Sequence, residues 1–239
     1  MRINPKSILL VSLSLCIVFV IYAQKRNQNP GTDPNNFPIS EFKVAKENKT
    51  PKAQKYNNPY APEITEELDG IFTNNHWDVN LPALPVAKSA AVVVGEVINA
   101  QAHLSDDNRS IYSEFTVKVD DVLKSYKGNP SHNEVVVFER LGGRMKMPSG
   151  KVVISKVDHQ DMPQRNKRYV FFLTNYLLGG GVDKDFRILT AYELRNDQVF
   201  PLDVVNEGHP IKAYTGKTAS AFFDDLNQLL ANSELSRSN

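Results

Sequence analysis

The stretch at residues 91–98, Ala-Val-Val-Val-Gly-Glu-Val-Ile, decides the fold. β-Branched residues fill five of its eight positions, which favours a strand because such side chains pack well on a pleated sheet. Gly95 lies in the middle of the run, and a glycine inside a strand indicates a bend or a bulge. We therefore expect a bent first strand, from which a β-rich domain continues along the chain.

More strands are predicted at short intervals. Apolar and polar residues alternate over 115–119, which is typical of a strand with one buried face. The alternation slips at Asp120-Asp121, where we expect a β-bulge. Further β-rich runs predict strands at 134–140, 152–155, 169–174, 186–194 and 198–202. Arg195-Asn196-Asp197 predicts a hairpin turn between the last two of these strands.

Helices are predicted on both sides of the strands. A short N-terminal helix over 62–72 is indicated by apolar residues that recur every four positions. A C-terminal helix begins after Thr218 or Ser220, either of which can cap it. Its apolar face consists of Phe222, Phe223, Leu226, Leu229 and Leu230. Short strands flanked by helices favour a mainly β domain, either a small barrel or a sandwich.

The order of these features resembles a known family. The segments that carry the resemblance are SAAVVVGEVINAQ (89–101), SIYSEFTVKVDDVLKSYKG (110–128), NEVVVFERLGG (133–143), KRYVFFLTNY (167–176) and FRILTAYELRND (186–197). Together they look like the netrin-like, OB-type barrel of the tissue inhibitors of metalloproteinases and of a set of exported bacterial proteins. The resemblance covers about residues 88–203 and implies a small OB-like β-barrel in an exported protein.

The resemblance does not carry the inhibitors' activity. Those proteins coordinate a catalytic zinc through an N-terminal cysteine that a disulfide holds in place. Residues 24–239 of this chain contain no cysteine, since the single cysteine is Cys16. A disulfide scaffold, a cysteine-ligated zinc site and a cysteine nucleophile are therefore excluded from this part of the chain, and a shared fold does not imply a shared function.

The first 23 residues predict export. Arg2 and Lys6 precede an apolar run over 8–23, which is the pattern of a signal peptide. The alternative is an uncleaved anchor, although the run is shorter than the ~20 residues that a spanning helix needs. In both cases we expect the remaining chain to lie outside the cytoplasm, either periplasmic or secreted. We expect contact with the membrane only through residues 1–23, and only if they are not cleaved.

Residues 24–60 differ in composition from the rest of the chain. They contain seven Asn and five Pro but no Leu, Met, Trp or Cys, so we predict a disordered tether followed by one domain at 61–239. The tether holds seven Lys/Arg against three Asp/Glu, whereas 61–239 holds 19 against 24. The total formal charge of +1 thus combines a basic tether with an acidic domain, and it argues against a nucleic-acid binder.

One basic region interrupts the acidic domain. Residues 140–168 hold eight Lys/Arg against two Asp/Glu. Within it, Arg140, Arg144, Lys146 and Lys151 surround Gly142-Gly143 and Gly150, so loops could present cations and backbone N–H groups together. We predict that these four residues bind an acidic protein or an anionic envelope polymer. The alternative is a set of solvated loop charges that pair with the acidic remainder.

No catalytic motif is present, so we expect a non-catalytic binding module. No nucleophile elbow, His-Glu-x-x-His helix or Ser-x-x-Lys motif occurs. Asp158, His159 and Asp161 are the best metal-like cluster, but three neighbouring residues in a polar turn fall short of a full ligand set. We expect neither a metal nor a cofactor. The alternative function is a hydrolase or a metal-dependent enzyme whose site converges only in the folded chain.

Overall fold

The valine-rich stretch forms part of the first long strand of a sheet that curls on itself. The computed structural model describes residues 37–41, 51–65, 70–74, 80–127, 129–175, 185–205 and 208–235, all within the unit Asp33–Asn239. In these ranges the strands are β1 Ile39–Glu41, β2 Gly70–Asn74, β3 Ala91–Leu104, β4 Ile111–Lys124, β5 Val135–Leu141, β6 Gly143–Lys146, β7 Val152–Val157, β8 Arg168–Asn175, β9 Phe186–Arg195, β10 Gln198–Pro201 and β11 Lys217–Thr218. The helices are α1 Pro51–Gln54, a 3-10 helix Pro210–Tyr214, and α2 Ala219–Leu235.

Five strands pair into a ring. β3 pairs with β4 and β8, β4 pairs with β5, and β8 pairs with β9, all antiparallel. β5 and β9 run parallel and complete the ring through two residue pairs, Phe138↔Phe186 and Glu139↔Arg187. The ring encloses a core that includes Val93, Phe115 and Phe171. The predicted mainly β class is therefore confirmed. The ring is barrel-like, but only two residue pairs join β5 to β9.

Gly95 allows β3 to bend against β4. The register between the two strands shifts between Val94 and Gly95, because Val94 pairs with Asp121 while Gly95 pairs with Val119. Asp120 is the extra residue, which confirms the predicted bulge. A Cβ atom at Gly95 would lie 2.7 Å from the backbone oxygen of Lys118, so no other residue fits there without moving β4.

The outer face of β3 is covered by the C-terminal helix. Val92 and Val94 pack in the same core cluster as Phe222 and Leu226 of α2. Thr218 caps this helix, since its hydroxyl oxygen accepts a hydrogen bond from the backbone N–H of Ala221 at 3.3 Å. Both faces of β3 are therefore buried in its first half, which explains why this part of the sequence is continuously apolar rather than alternating.

A second sheet of four strands lies against the far end of β3 and β4. Its order is β1-β6-β7-β2, with β6 and β7 antiparallel and both edge strands parallel to their neighbours. Met145 and Val153 on its inner face pack with Ala102 and Ile111 of the ring strands. The sequence predicts β7 within this sheet, but it indicates loops around Gly142-Gly143 and does not predict β1, β2 or β6.

The prediction of a helix over 62–72 is wrong. Residues 62–65 are irregular, and the backbone N–H of Ile64 donates to Asn108 O at 2.8 Å. Residues 70–74 form β2, which pairs with β7 over five residues. The backbone groups along the edge of β7 need partners, and satisfying them outweighs the weak propensity of a short isolated helix. The short N-terminal helix is instead the single turn α1.

Part of the predicted disordered tether belongs to the fold. Residues 37–41 include Phe37, which is only 4% exposed, and β1, which pairs with β6. Residues 51–60 include α1 and the buried ring of Tyr56, and we call this segment the strap. The rest of 24–60 and the predicted signal or anchor at 1–23 lie outside the described residues. Within the described ranges, no helix has the length and apolar character needed to cross a membrane.

A chain that starts at residue 61 should be less stable than one that starts at residue 33. The shorter chain loses the buried rings of Phe37 and Tyr56, and burial of one large apolar side chain contributes about 1.5–3 kcal/mol. We expect urea denaturation to give a free energy of unfolding lower by at least about 3 kcal/mol for 61–239 than for 33–239. Equal midpoints and slopes for the two chains would contradict this role of the strap and β1.

Candidate functional site

Arg140, one of the four predicted binding residues, is buried. Its side chain is 0% exposed, and its Nη2 lies 2.7 Å from Asp203 Oδ1. Its Nη1 donates to the backbone oxygen of Asp161 at 2.7 Å. A guanidinium removed from water requires such partners to offset its desolvation. Arg140 is therefore a structural residue that joins Asp203 to the backbone at Asp161. Its assignment to a ligand-binding site is therefore wrong.

Asp203 is the centre of this buried network. Besides Arg140, its carboxylate accepts hydrogen bonds from the Thr190 hydroxyl at 2.7 Å and from the backbone N–H of Asp161 at 3.2 Å. Burial raises the pKa of the Asp161 carboxyl to about 7, against the opposing effects of a backbone N–H and of the Arg140 charge. The network joins β5, β9 and the segment before β8, and thus fixes the closing side of the ring.

The residues that the sequence indicates as metal-like do not converge. Asp161 is buried in the Asp203 network, whereas Asp158 and His159 are exposed. The His159 ring Nδ1 lies 3.0 Å from the backbone oxygen of Val204. Among the described residues, no group of three His, Cys, Asp or Glu side chains is placed to hold a metal ion.

Arg144 and Lys146 lie on one face of the four-stranded sheet. Gly143 and Met145 alternate with them on β6 and are buried, so the two cations point away from the ring. Lys156 lies on the corresponding face of β7, and Lys151 is exposed at the end of the turn that joins the two strands. We call Arg144, Lys146, Lys151 and Lys156 the basic face. None of them forms an ion pair with a carboxylate of the described residues, although Glu41 of β1 is directly opposite Lys146 in the sheet. The Arg144 Nε donates to the backbone oxygen of Phe37 at 2.9 Å.

Apolar side chains flank the basic face. Ile39 on β1 pairs with Arg144, which pairs with Ile154, which in turn pairs with Ile71 on β2. These four residues therefore form one row across the sheet. Ile39 is 44% exposed and Ile71 is 54% exposed, so the row presents an apolar side chain at each edge of the sheet. Such a surface suits a partner that carries both acidic and apolar groups.

A second polar site lies where the strap crosses the ring. Glu114 of β4 and Glu139 of β5 are directly opposite each other in the sheet, and like charges in such a pair are destabilising. Lys52 of the strap lies between them, with its Nζ 3.0 Å from Glu114 Oε1 and 3.0 Å from Glu139 Oε1. Lys55 Nζ lies 2.6 Å from Asp185 Oδ2 and 3.9 Å from Glu139 Oε2. The strap therefore supplies the cations that this acidic surface needs.

Tyr56 fixes the strap by stacking as well as by hydrogen bonding. Its ring stacks on Tyr112 with a centroid distance of 4.3 Å and an angle of 9° between the planes. Its hydroxyl donates to Glu139 Oε2 at 2.8 Å. Burial, followed by the charge of Glu139, raises the pKa of the Tyr56 phenol well above its usual value. The phenol therefore stays protonated and remains a hydrogen-bond donor.

Glu114 stays ionised in this site. The His103 ring, whose Nε2 lies 3.5 Å from Glu114 Oε2, and the contacts with Lys52 lower the pKa of Glu114 to about 2, although burial opposes the shift. Burial alone would lower the pKa of Lys52, but the charges of Glu139 and Glu114 outweigh it and the pKa is raised. The ion pair between Lys52 of the strap and Glu114 therefore persists over the whole neutral range.

A cleft of about 480 Å³ opens beside the strap. It is lined by Lys55, Tyr56, Asn57, Asn58, Pro59, Tyr60, Ser110, Glu139, Leu141, Asp185 and Arg187, and we call it the strap cleft. The strap forms one wall, and the ends of β5 and β9 form the other. Sequence reasoning missed this site because the strap fell within the predicted tether. The available signal was the spacing of Lys52, Lys55 and Tyr56, since residues three and four apart share one side of a helical turn.

Substituting Arg140 should cost far more stability than substituting a residue of the basic face. Arg140→Met leaves the Asp203 carboxylate buried without its cation, and breaking a buried pair in this way costs about 3–5 kcal/mol. Lys146→Met removes an exposed charge and should change the free energy of unfolding by no more than about 0.5 kcal/mol. Thermal or urea unfolding of both variants measures the difference. Similar stabilities for the two would mean that Arg140 is not a structural residue.

Acid should weaken the strap through Glu114. Because the pKa of Glu114 falls from 4.5 to about 2 on folding, its contribution to stability is fully present above the unfolded value. That contribution is lost as pH falls from about 4.5 towards 2. We expect Glu114→Gln to be less stable than the wild type at pH 7 and to show a flatter decline in stability between pH 5 and pH 2. Parallel pH profiles would rule out this role for Glu114.

Comparisons with known proteins found no significant match for this chain. No protein-family model matches the chain. No curated protein and no solved structure matches it significantly either. The resemblance to the netrin-like barrels therefore stays a prediction, which rests on the motifs of the sequence.

Proposed function

We propose that this chain is an exported, non-catalytic binding module that engages an acidic protein or an anionic envelope polymer through the basic face. The observation that carries the proposal is that four cations, Arg144, Lys146, Lys151 and Lys156, surround one four-stranded sheet and form no ion pair with a described carboxylate. Cations that are already paired contribute little to a new contact. Cations that form no ion pair and share a surface attract an acidic ligand together.

The charge of the surrounding domain supports this choice. Residues 61–239 carry five more acidic than basic side chains, so a surface with four cations stands out from its neighbourhood. The exposed Ile39 and Ile71 add apolar area on the same face, and buried apolar area supplies most of the affinity in protein association. This combination favours an acidic protein over a purely polar polymer.

The fold and the N-terminal sequence are consistent with the proposal. A ring of five strands has the size of an OB-type barrel, and such barrels often bind elongated ligands. The charged start and apolar run of residues 1–23 support export. The inhibitory activity of the netrin-like inhibitors is not part of the proposal, because the cysteine that carries it has no counterpart after residue 23.

A pull-down at low salt from an extract of the cell envelope tests the proposal. The bait is residues 33–239, compared with the triple variant Arg144→Glu, Lys146→Glu and Lys151→Glu. The control is Lys118→Glu, Arg165→Glu and Arg195→Glu, which changes the net charge equally at exposed positions outside the basic face. We expect the wild type and the control to capture the same acidic protein, and the basic-face variant to lose it.

The salt dependence provides a second measurement on the captured pair. Affinity should fall as salt rises, because exposed charges are screened beyond about 10 Å at 0.1 M. Equal capture by the basic-face variant would move the binding site elsewhere. Turnover of a substrate that responds to a chelator or to pH would instead favour the enzyme alternative.

A further inference from the structure

Arg187 lies in the strap cleft without a described anionic partner. It is directly opposite Glu139 in the pairing of β9 with β5, the position where an ion pair would be expected. The Glu139 carboxylate instead faces Lys52, Lys55 and the Tyr56 hydroxyl. The half-buried guanidinium of Arg187 therefore borders the cleft with its donors unengaged by any described carboxylate. A guanidinium of this kind is suited to bind a carboxylate through two parallel hydrogen bonds.

The cleft also offers acceptors whose charge is already compensated. Glu139 is held by Lys52 and Tyr56, and Asp185 is held by Lys55 at 2.6 Å. A carboxylate has about four lone-pair sites, so Asp185, whose side chain is 15% exposed, can still accept a hydrogen bond from a neutral donor. The Glu139 side chain is only 4% exposed and contributes its negative charge to the floor of the cleft. An acidic peptide would bring further carboxylates towards these two acids. A ligand with hydroxyl groups beside its single carboxylate avoids that repulsion.

An exposed aromatic ring stands at the rim of the cleft. Tyr60 is 96% exposed, and its backbone N–H donates to Asn58 Oδ1 at 3.2 Å, which holds the turn that carries it. A tyrosine left in water presents a flat apolar surface and a hydroxyl at low cost in conformational freedom. Asn57, Asn58 and Ser110 add amide and hydroxyl groups to the same cleft.

We propose that the strap cleft is a second binding site, separate from the basic face, and that it takes an acidic saccharide residue. Arg187 binds the carboxylate, Asp185 accepts a hydrogen bond from a neighbouring hydroxyl, and Tyr60 packs on the sugar ring. An acidic saccharide is the ligand class that presents one anion, several hydroxyl donors and an apolar ring face within a single residue.

Titration with galacturonate, a sugar with a single carboxylate, tests the proposal on residues 33–239, with its methyl ester as the probe that lacks only the charge. Calorimetry or chemical-shift titration should show binding of the acid and at least tenfold weaker binding of the ester. Arg187→Gln should weaken binding of the acid about tenfold or more, since hydrogen bonds to charged groups are among the strongest. Arg187→Lys should recover part of the affinity, and Tyr60→Ala should weaken it severalfold.

The controls separate this site from the basic face. Arg195→Gln removes an exposed arginine from the other end of β9 and should leave the affinity unchanged, as should the triple variant of the basic face. Thermal melting shows that each variant is folded. Equal binding of acid and ester, no effect of Arg187→Gln, or loss of binding only in the basic-face variant would overturn the proposal. Binding of triglutamate with the same dependence on Arg187 would assign the cleft to acidic peptides and overturn it as well.

Discussion

The opposition of Glu114 and Glu139 on neighbouring strands is the constraint around which this side of the molecule is built. Two carboxylates in that position repel each other, and no lysine or arginine of the described ring strands forms an ion pair with either of them. Lys52 and Lys55 reach them from a segment that precedes the first ring strand by more than 30 residues. The ion pairs therefore make the strap part of the domain, and the strap in turn covers Tyr112 and creates one wall of a cleft.

Local sequence patterns predicted much of the sheet because they reflect interactions between residues that are close in sequence. The bulge at Asp120, the bend at Gly95 and the cap at Thr218 each depend on residues close in sequence. The hairpin between β9 and β10 is a further case, because Asn196 and Asp197 take the positive φ values of 51° and 59° that such a turn requires. Asn and Asp tolerate this conformation better than most residues, so the sequence carries the signal directly.

The site residues could not be predicted in the same way because their roles depend on partners far along the chain. Arg140 belongs to a run of basic residues, and its burial follows from Asp203, which lies 63 positions later. Composition described residues 24–60 correctly as poor in apolar groups. It could not show that Phe37 and Tyr56, two of the few rings in that segment, each find a place in a core cluster. Arg144 and Lys146 lie on one face of the sheet because residues 143–146 form β6, in which alternate side chains share a face. The sequence indicated loops around Gly142-Gly143, where this alternation would not apply.

The pairing of β1 with β6 has a consequence for the order in which the chain folds. Ile39 is aligned with Arg144, more than 100 residues later, and the strap likewise waits for β4 and β5. Because a chain emerges from the ribosome with its N-terminus first, these early segments remain without partners until most of the domain has been made. A segment rich in Asn, Pro and Lys stays soluble during that interval. A composition typical of disordered chains thus suits β1 and the strap, which are synthesised early and pack against the ring late.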